Sequence, residues 1–503
     1  MHTPILGSTY VARSVNAADA RMVNLFPEIV PEAGKEPAFL QRAPGLTLLN
    51  EIGTGPIRGL WAFSADDGVA FVVSGTELYK IGNTYLATKI GDVSGTGPVS
   101  LADNGTQLFI ACNGPSYIYN NTTNAFAQIT DPDFPGAVTV CYLDGYFVFN
   151  EPNSQKMWVT ALLDGTSIDP LEFASAEASP DGLVAVAANF GQIWAFGTNS
   201  IEVWQDTGAT DFPLERISGA FNELGLAAPY SVAKMDNGLF WLGRDRRGQG
   251  IVYRANGYTG QRISTHAVEW QIQQYGNLSD AIGYTYQQDG HSFYVLIFPT
   301  ANTTWVYDAA TQAWHERAGW VDDEFVRHRS NCQMAFNNLI IVGDYQNGNI
   351  YSFNLDVYTD NNDIQRWLRS WRALPTGQNN LKRSAHHSLQ LDCQSGVGSD
   401  SNTGVLLLEN GYKLLTESGE EIAIDSPITD AYVTLRWSDD GGHTWSNDHV
   451  ATMGQIGQYG KRVIWRRLGM TMKLRDRVYE LSGTDPVKIA IMGAELIISP
   501  TNA

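Results

Sequence analysis

The chain has 503 residues, 43% of them hydrophobic, and a formal charge of −20. This composition is that of a folded chain, against a disordered one, and the length points to two domains, or to one large repeat body with extensions. The charge is uneven. Residues 1–362 hold 18 Lys and Arg against 37 Asp and Glu, whereas residues 363–503 hold 15 against 16. Tight sequence-independent DNA binding needs phosphate neutralisation, so the acidic part argues against it.

No apolar run reaches the roughly 18–20 residues that cross a bilayer. The start, Met1-His2-Thr3-Pro4-Ile5-Leu6, has neither a basic segment nor a long apolar core, so no signal peptide and no membrane segment are expected. Cys112, Cys141, Cys332 and Cys393 lie far apart without a C-x-x-C pair. They read as buried free thiols of a reducing cytosol, not as metal ligands.

Residues 1–55 read as an extended N-terminal arm, broken by Pro27, Pro31, Pro37 and Pro44. Leu25-Phe26 and Phe39-Leu40 could pin it to the body. From Pro56 to Asn362 one pattern recurs seven times. An apolar stretch enters a tight turn: Asp67-Gly68, Asn104-Gly105, Asp144-Gly145, Phe190-Gly191, Asn237-Gly238, Asp289-Gly290 and Asn337-Asn338. A strand carrying Tyr or Trp then follows, as in Leu78-Tyr79, Tyr117-Ile118-Tyr119, Met157-Trp158, Val203-Trp204, Val252-Tyr253, Trp305-Val306-Tyr307 and Ile350-Tyr351. The turns lie 37 to 52 residues apart, the period of a four-stranded propeller blade. The pattern predicts an all-β chain with a β-propeller over 56–362. About seven blades are expected; six or eight stay open, because the arm or the C-terminal part could supply a closing strand.

Two helical interruptions fit the periodicity. His266 to Tyr275 places Val268, Ile272 and Tyr275 on one face. Asp363 to Arg372 places Ile364, Trp367, Leu368 and Trp371 at i, i+3, i+4 and i+7, a helix capped near Asn361 or Asn362; a strand leaving the propeller fits almost equally. From about residue 380 the pattern is β again, in Ser388–Leu391, Tyr432–Trp437 and Ile491–Ile498. Residues 363–503 therefore read as a connecting segment and a small C-terminal β domain.

The sharpest short motif is Ser438-Asp439-Asp440-Gly441-Gly442-His443-Thr444-Trp445, which fits the Asp-box pattern S-x-D-x-G-x-T-W. Its physics is a hairpin turn: Asp440 accepts backbone N–H bonds, Gly442 supplies a positive φ, and Trp445 packs beneath. The motif is common in sialidases, where it is structural, and glycoside hydrolysis would need positioned carboxylates or a Tyr–Glu pair with an arginine cluster. Arg58 is the one lead for such a cluster. The pair His386-His387 and the turn Asp360-Asn361-Asn362-Asp363 lack metal-ligand spacing. No catalytic set, metal site or cofactor site is expected. Two basic–aromatic runs stand out: Arg366-Trp367-Leu368-Arg369-Ser370-Trp371-Arg372 and Lys461-Arg462-Val463-Ile464-Trp465-Arg466-Arg467. Arg366, Trp367, Arg369, Trp371, Arg372, Lys461, Arg462, Trp465, Arg466 and Arg467 are candidates for a subunit or adaptor interface, where Trp and Arg are favoured. A solvated strand face with buried alternate residues explains them equally well, and a nucleic-acid surface, which would combine cations with stacking aromatics, less well.

Several segments together resemble a known family. In order they are Arg42-Ala43-Pro44-Gly45-Leu46, Ile57-Arg58-Gly59-Leu60, Glu77–Lys80, Gly91–Gly97, Ala178–Gly182, Phe196–Trp204, Thr207–Thr210 and Lys461–Gly469. Their order and spacing resemble the packaged-DNA stabilisation proteins of short-tailed phages, also called tail hub or nozzle proteins, over about residues 40–500. The resemblance implies a virion protein of the phage tail, made in the host cytoplasm. It implies a ring, usually six copies, that closes the head after packaging, retains the DNA and forms part of its exit conduit. The implied partners are the portal adaptor, the tail needle or fibres, and DNA passing through without tight binding. No catalytic residues carry over. The alternative is a tail-associated, glycan-binding or sialidase-like propeller.

Overall fold

The computed structural model describes residues 1–503 except 14–18, 31–33, 177–180, 210–211, 247, 376–382, 399–403, 406–422, 425–429, 473–476 and 502–503. Thr210 and residues 178–180 of the Ala178–Gly182 segment thus lie outside the described residues. The chain forms two compact units, Gly45–Asn354 and Met1–Pro44 with Leu355–Ala503. The sequence reading set boundaries at 55/56 and 362/363, which differ from these.

In Gly45–Asn354, successive strands pair antiparallel into seven sheets of propeller type. The first blade is Ile57–Ala62, Ala70–Ser74, Glu77–Ile81 and Ala87–Asp92. The innermost strands of the other six are Ser100–Asp103, Val140–Leu143, Leu183–Asn189, Ala233–Met235, Ile282–Gln288 and Ser330–Phe336. The recurring turns join the first and second strands of each blade, and every Tyr/Trp strand is a third strand. The turn chemistry follows from twist. Asp144 and Gly145 hold φ of 47° and 100°, and Asn337 and Asn338 hold 52° and 58°. Such left-handed pairs match the twist of the flanking strands.

The seventh blade closes the ring. Ser330–Phe336, Leu339–Asp344 and Asn349–Asn354 take Gly45–Glu51 as their outer strand, in register Asn354↔Gly45 through Asn349↔Glu51. The closing strand thus comes from the segment read as the arm. Apolar seams join neighbouring blades. Phe71, Leu108 and Tyr119 pack between the first two, and Trp194, Phe196 and Trp241 between the fourth and fifth. Ile341 and Met334 of the seventh pack on Ile57 and Val72 of the first. The predicted short helix is present at His266–Gln273, capped by Thr265, whose hydroxyl accepts from the Val268 N–H. It lies so close to Gly250 (φ 91°) that a Cβ there would stand 3.1 Å from Ile272.

The other unit has two antiparallel sheets around one core. The first runs Leu25–Ile29, Ala38–Arg42, Ala490–Pro500, Ser384–Cys393, Val463–Arg466. The second includes Met22–Val23, Trp367–Arg372, Val478–Gly483, Ala431–Ser438 and His449–Gly454. Leu25, Leu40, Trp367, Trp371, Leu389, Leu435, Tyr479 and Leu496 are among the core residues. Residues 1–44 thus contribute strands to this unit, with Leu25, Phe26 and Leu40 buried. Pro27 sits in the edge strand Leu25–Ile29, where a missing N–H costs no ladder bond. Arg42 is buried, with its guanidinium donating to Gln365 and to the carbonyls of Asp485 and Val487. The helix considered over 363–372 does not form. Trp367–Arg372 is a strand paired on one side with Val478–Gly483 and on the other with Met22–Val23. Both faces are covered, so Arg369 and Ser370 are buried with Trp367, Leu368 and Trp371, and the strand lacks the inside–outside alternation that would mark it in sequence.

Candidate functional surfaces

The two basic–aromatic runs have opposite fates. In the first, Trp367, Arg369 and Trp371 are each only 1% exposed. The Arg369 Nε donates to the Ile5 carbonyl at 2.7 Å, and the Trp371 indole N–H to Thr3 Oγ1 at 2.5 Å. Burial pulls the Arg369 guanidinium down to about 10. These three side chains stabilise the sandwich from inside, so their placement at a subunit or adaptor interface is corrected. Arg366 and Arg372 are half-buried; Arg366 Nη2 donates to Ser482 Oγ. Burial also lowers Arg372, against a smaller opposing effect of Asp19.

The second run lies on Val463–Arg466, which pairs with Ser384–Cys393 and ends its sheet among the described residues. Alternation buries Val463 and Trp465, and the Trp465 indole donates to the His449 carbonyl at 2.8 Å. Trp465 is thus also core, and its interface placement is corrected. Lys461, Arg462, Arg466 and Arg467 are exposed. Arg467 takes a left-handed φ of 61°, which ends the strand and turns the chain.

The Asp-box residues form the expected turn after Ala431–Ser438. Asp440 Oδ1 accepts from Ser438 Oγ at 2.6 Å, His443 N at 3.0 Å and Thr444 N at 2.9 Å; its Oδ2 accepts from Thr444 Oγ1 at 2.6 Å. The Ser438 hydroxyl bond, then those from Thr444, hold its carboxyl far below the usual carboxylate range. Gly442 has φ 98°, and Trp445 stacks on the Arg436 guanidinium at 4.7 Å. The neighbour that sequence reasoning missed is Asp439. Its two oxygens receive the buried Arg477 Nε and Nη2 at 2.6 and 2.7 Å. Arg477 also donates to the carbonyl of Leu468, just beyond the basic strand. Nothing local signals such a pair, because its partners lie 38 residues apart.

The axis of the propeller holds a cavity of about 690 Å³, lined by all seven inner strands. Arg58 enters it, but its guanidinium donates to the carbonyls of Gly97, Gly75 and Ser94 at 2.6, 2.8 and 2.9 Å. Burial lowers its pKa. Arg58 is spent on backbone carbonyls inside the fold, and the exposed Asp440 on the turn that it braces. Cys141 and Cys332 line the same cavity as free thiols pushed up to about 12 by burial. His386 is buried between Ser384 Oγ and Tyr479 Oη, and His387 faces Ser499. Asn361 and Asn362, at φ 55° and 68°, form a hairpin turn.

A seven-bladed β-propeller closed by a strand from its own N-terminal side, joined to an antiparallel β-sandwich, defines the class. The family model described as bacteriophage P22 Gp10, beta-propeller, matches residues 1–358, and its companion, bacteriophage P22 Gp10, beta-sandwich, matches residues 406–499. The chain belongs to the bacteriophage P22 Gp10 family. The tail hub protein gp10 of Salmonella phage P22 is 22% identical over 455 residues, covering 87% of this chain and 86% of that relative. Among solved structures, a streptogramin B lyase is similar at 13% identity and a TM-score of 0.41, over 61% of this chain and 97% of the lyase. The Neurospora crassa Pan2 WD40 domain is similar at 9% identity and 0.41, over 62% and 95%. Neither likeness bears on what this chain does.

Proposed function

We propose that the chain is a non-enzymatic subunit of a phage tail hub that closes the head after packaging, retains the genome and forms part of its exit conduit. The observation that carries this is the family match over both the propeller and the sandwich. The subunit assembles as a homo-hexameric ring. It docks on the portal adaptor, presents a surface to a tail needle or fibres, and lets DNA pass without tight binding. Charge supports the last point. Gly45–Asn354 holds 14 Lys and Arg against 31 Asp and Glu, a net of −17. A surface of that sign repels phosphate and lets a duplex slide. Lys461, Arg462, Arg466 and Arg467 are the exposed cations offered to a neighbouring subunit or to the adaptor, with the rims of Arg366 and Arg372.

Phage assembled without this chain should fill its heads and then lose the DNA, read as nuclease-sensitive genome after packaging. Particles that keep their DNA without it would overturn the reading. Tight, salt-sensitive duplex binding by the purified ring would overturn the sliding surface alone.

A further inference from the structure

One end of the propeller is both acidic and apolar. Strands alternate in direction within a blade, so first-to-second turns and third-to-fourth loops emerge at the same end. Hydrogen bonds join them there: Asn104 Nδ2 donates to the Leu163 carbonyl, Gln192 Nε2 to Tyr258 Oη, and Asn337 Nδ2 to Tyr85 Oη. The seven turns and six loops contain no Lys or Arg. Five turn positions are Asp66, Asp67, Asp144, Asp236 and Asp289, and the third blade's loop adds Asp164, Asp169 and Glu172.

Large apolar side chains stand among these carboxylates. Leu86, Leu162, Leu163, Leu171 and Phe190 are 60% to 79% exposed. Two of them also hold unfavourable backbone. Phe190 has φ 52° at the turn position filled elsewhere by Asp144, Asp289 and Asn337, and Leu163 has φ 60°. A bulky residue there costs free energy that Asn, Asp or Gly would avoid, and such strain collects at binding sites. An exposed apolar patch rimmed by charge is an interaction surface.

We propose that this end of the propeller receives the basic edge strand of a second copy of the chain, Val463–Arg466 with its flanks. This rests on the ring reading above. Charge complementarity selects the occupant: Lys461, Arg462, Arg466 and Arg467 are exposed, with Met470 and Met472 exposed beside them at 49% and 64%. Cations meet the carboxylate rim and adaptable methionines meet the leucines. Two different patches on one chain make a heterologous contact, the kind that generates rings.

The test places a photo-reactive benzoylphenylalanine at Leu163 or Phe190 in the full chain. Mixtures of ¹⁵N and ¹⁴N protein, alone and on the portal adaptor, are irradiated and mapped by mass spectrometry. Mixed-isotope links to residues 459–472 are expected. The double variant Arg466→Glu/Arg467→Glu should weaken assembly by about tenfold or more, with unchanged circular dichroism. Rings whose links fall elsewhere, on the adaptor or nowhere, refute this contact and leave the ring standing. A chain that stays monomeric at every concentration, alone and with the adaptor, refutes both.

Discussion

Asp439→Asn should destabilise the sandwich by about 3 kcal/mol, below the middle of the 3–5 kcal/mol range for breaking a buried ion pair. The Arg477 side chain is 1% exposed and Asp439 15%, so one partner keeps some water, which lowers the expected cost. The amide offers one acceptor where the carboxylate offered two, and it carries no charge to offset the guanidinium. Arg477 stays packed against Trp437 at 5.2 Å and tied to the Leu468 carbonyl, so it has no exposed site to move to. With a urea slope of about 2 kcal/mol/M, the midpoint falls by about 1.5 M. Adding Arg477→Met removes the orphaned cation and should recover about 1–2 kcal/mol over the single variant. Equilibrium urea unfolding followed by tryptophan fluorescence reads both, since Trp371, Trp437 and Trp465 lie in this unit. A single-variant loss below about 1 kcal/mol, or a double variant no better than the single, would show that the pair is not what fixes the Leu468 turn.

Arg58→Met leaves three backbone carbonyls without their donor, which should cost the propeller about 2–4 kcal/mol; calorimetry checks it. The wild type should leave a fluorogenic sialoside intact, and turnover that Arg58→Met removes would restore the glycan reading. Leu46→Asp places a carboxylate at a buried position of the closing strand. It should raise amide exchange in both Gly45–Glu51 and Asn349–Asn354, and exchange confined to the first strand would refute the closure role. His315 and His328 are buried, and their pKa values are pushed well below normal by burial first and Arg317 second. The folded state resists protons that the unfolded chain accepts below about pH 6.5, so stability falls on acidification by up to about 1.4 kcal/mol per pH unit per histidine. Propeller melting that does not fall between pH 7 and 5 would sink that account.

The propeller was legible because its signals are local. A left-handed turn and a Tyr/Trp third strand recur within each blade, and the period sets the architecture. The closing strand was less legible: Gly45–Glu51 pairs with Asn349–Asn354 about 300 residues away (from the register Leu46↔Phe353), and sequence periodicity has no access to that separation. The sixth–seventh seam was invisible for a related reason. Arg317 is 0% exposed, with its guanidinium over Tyr286, Phe293 and Phe353 at 5.4 to 5.7 Å. A fully buried arginine looks in sequence like any solvated one.

The two basic–aromatic runs show why composition could not assign the interface. Each mixes Trp with Arg, and each contains a strand. Trp367–Arg372 has a neighbour on both sides and elements over both faces, so even its Arg369 is taken into the core and tied to a carbonyl. Val463–Arg466 pairs with one strand among the described residues, buries one face through Val463 and Trp465, and leaves Arg466 and the flanking cations in water. Position in the sheet, not residue type, decides whether an arginine is a structural donor or a surface charge. An edge strand also keeps unpaired backbone groups, which proteins commonly guard with Lys and Arg against unwanted pairing. The same cations that guard the Val463–Arg466 edge can select an acidic partner for it, so negative design and recognition coincide at one strand.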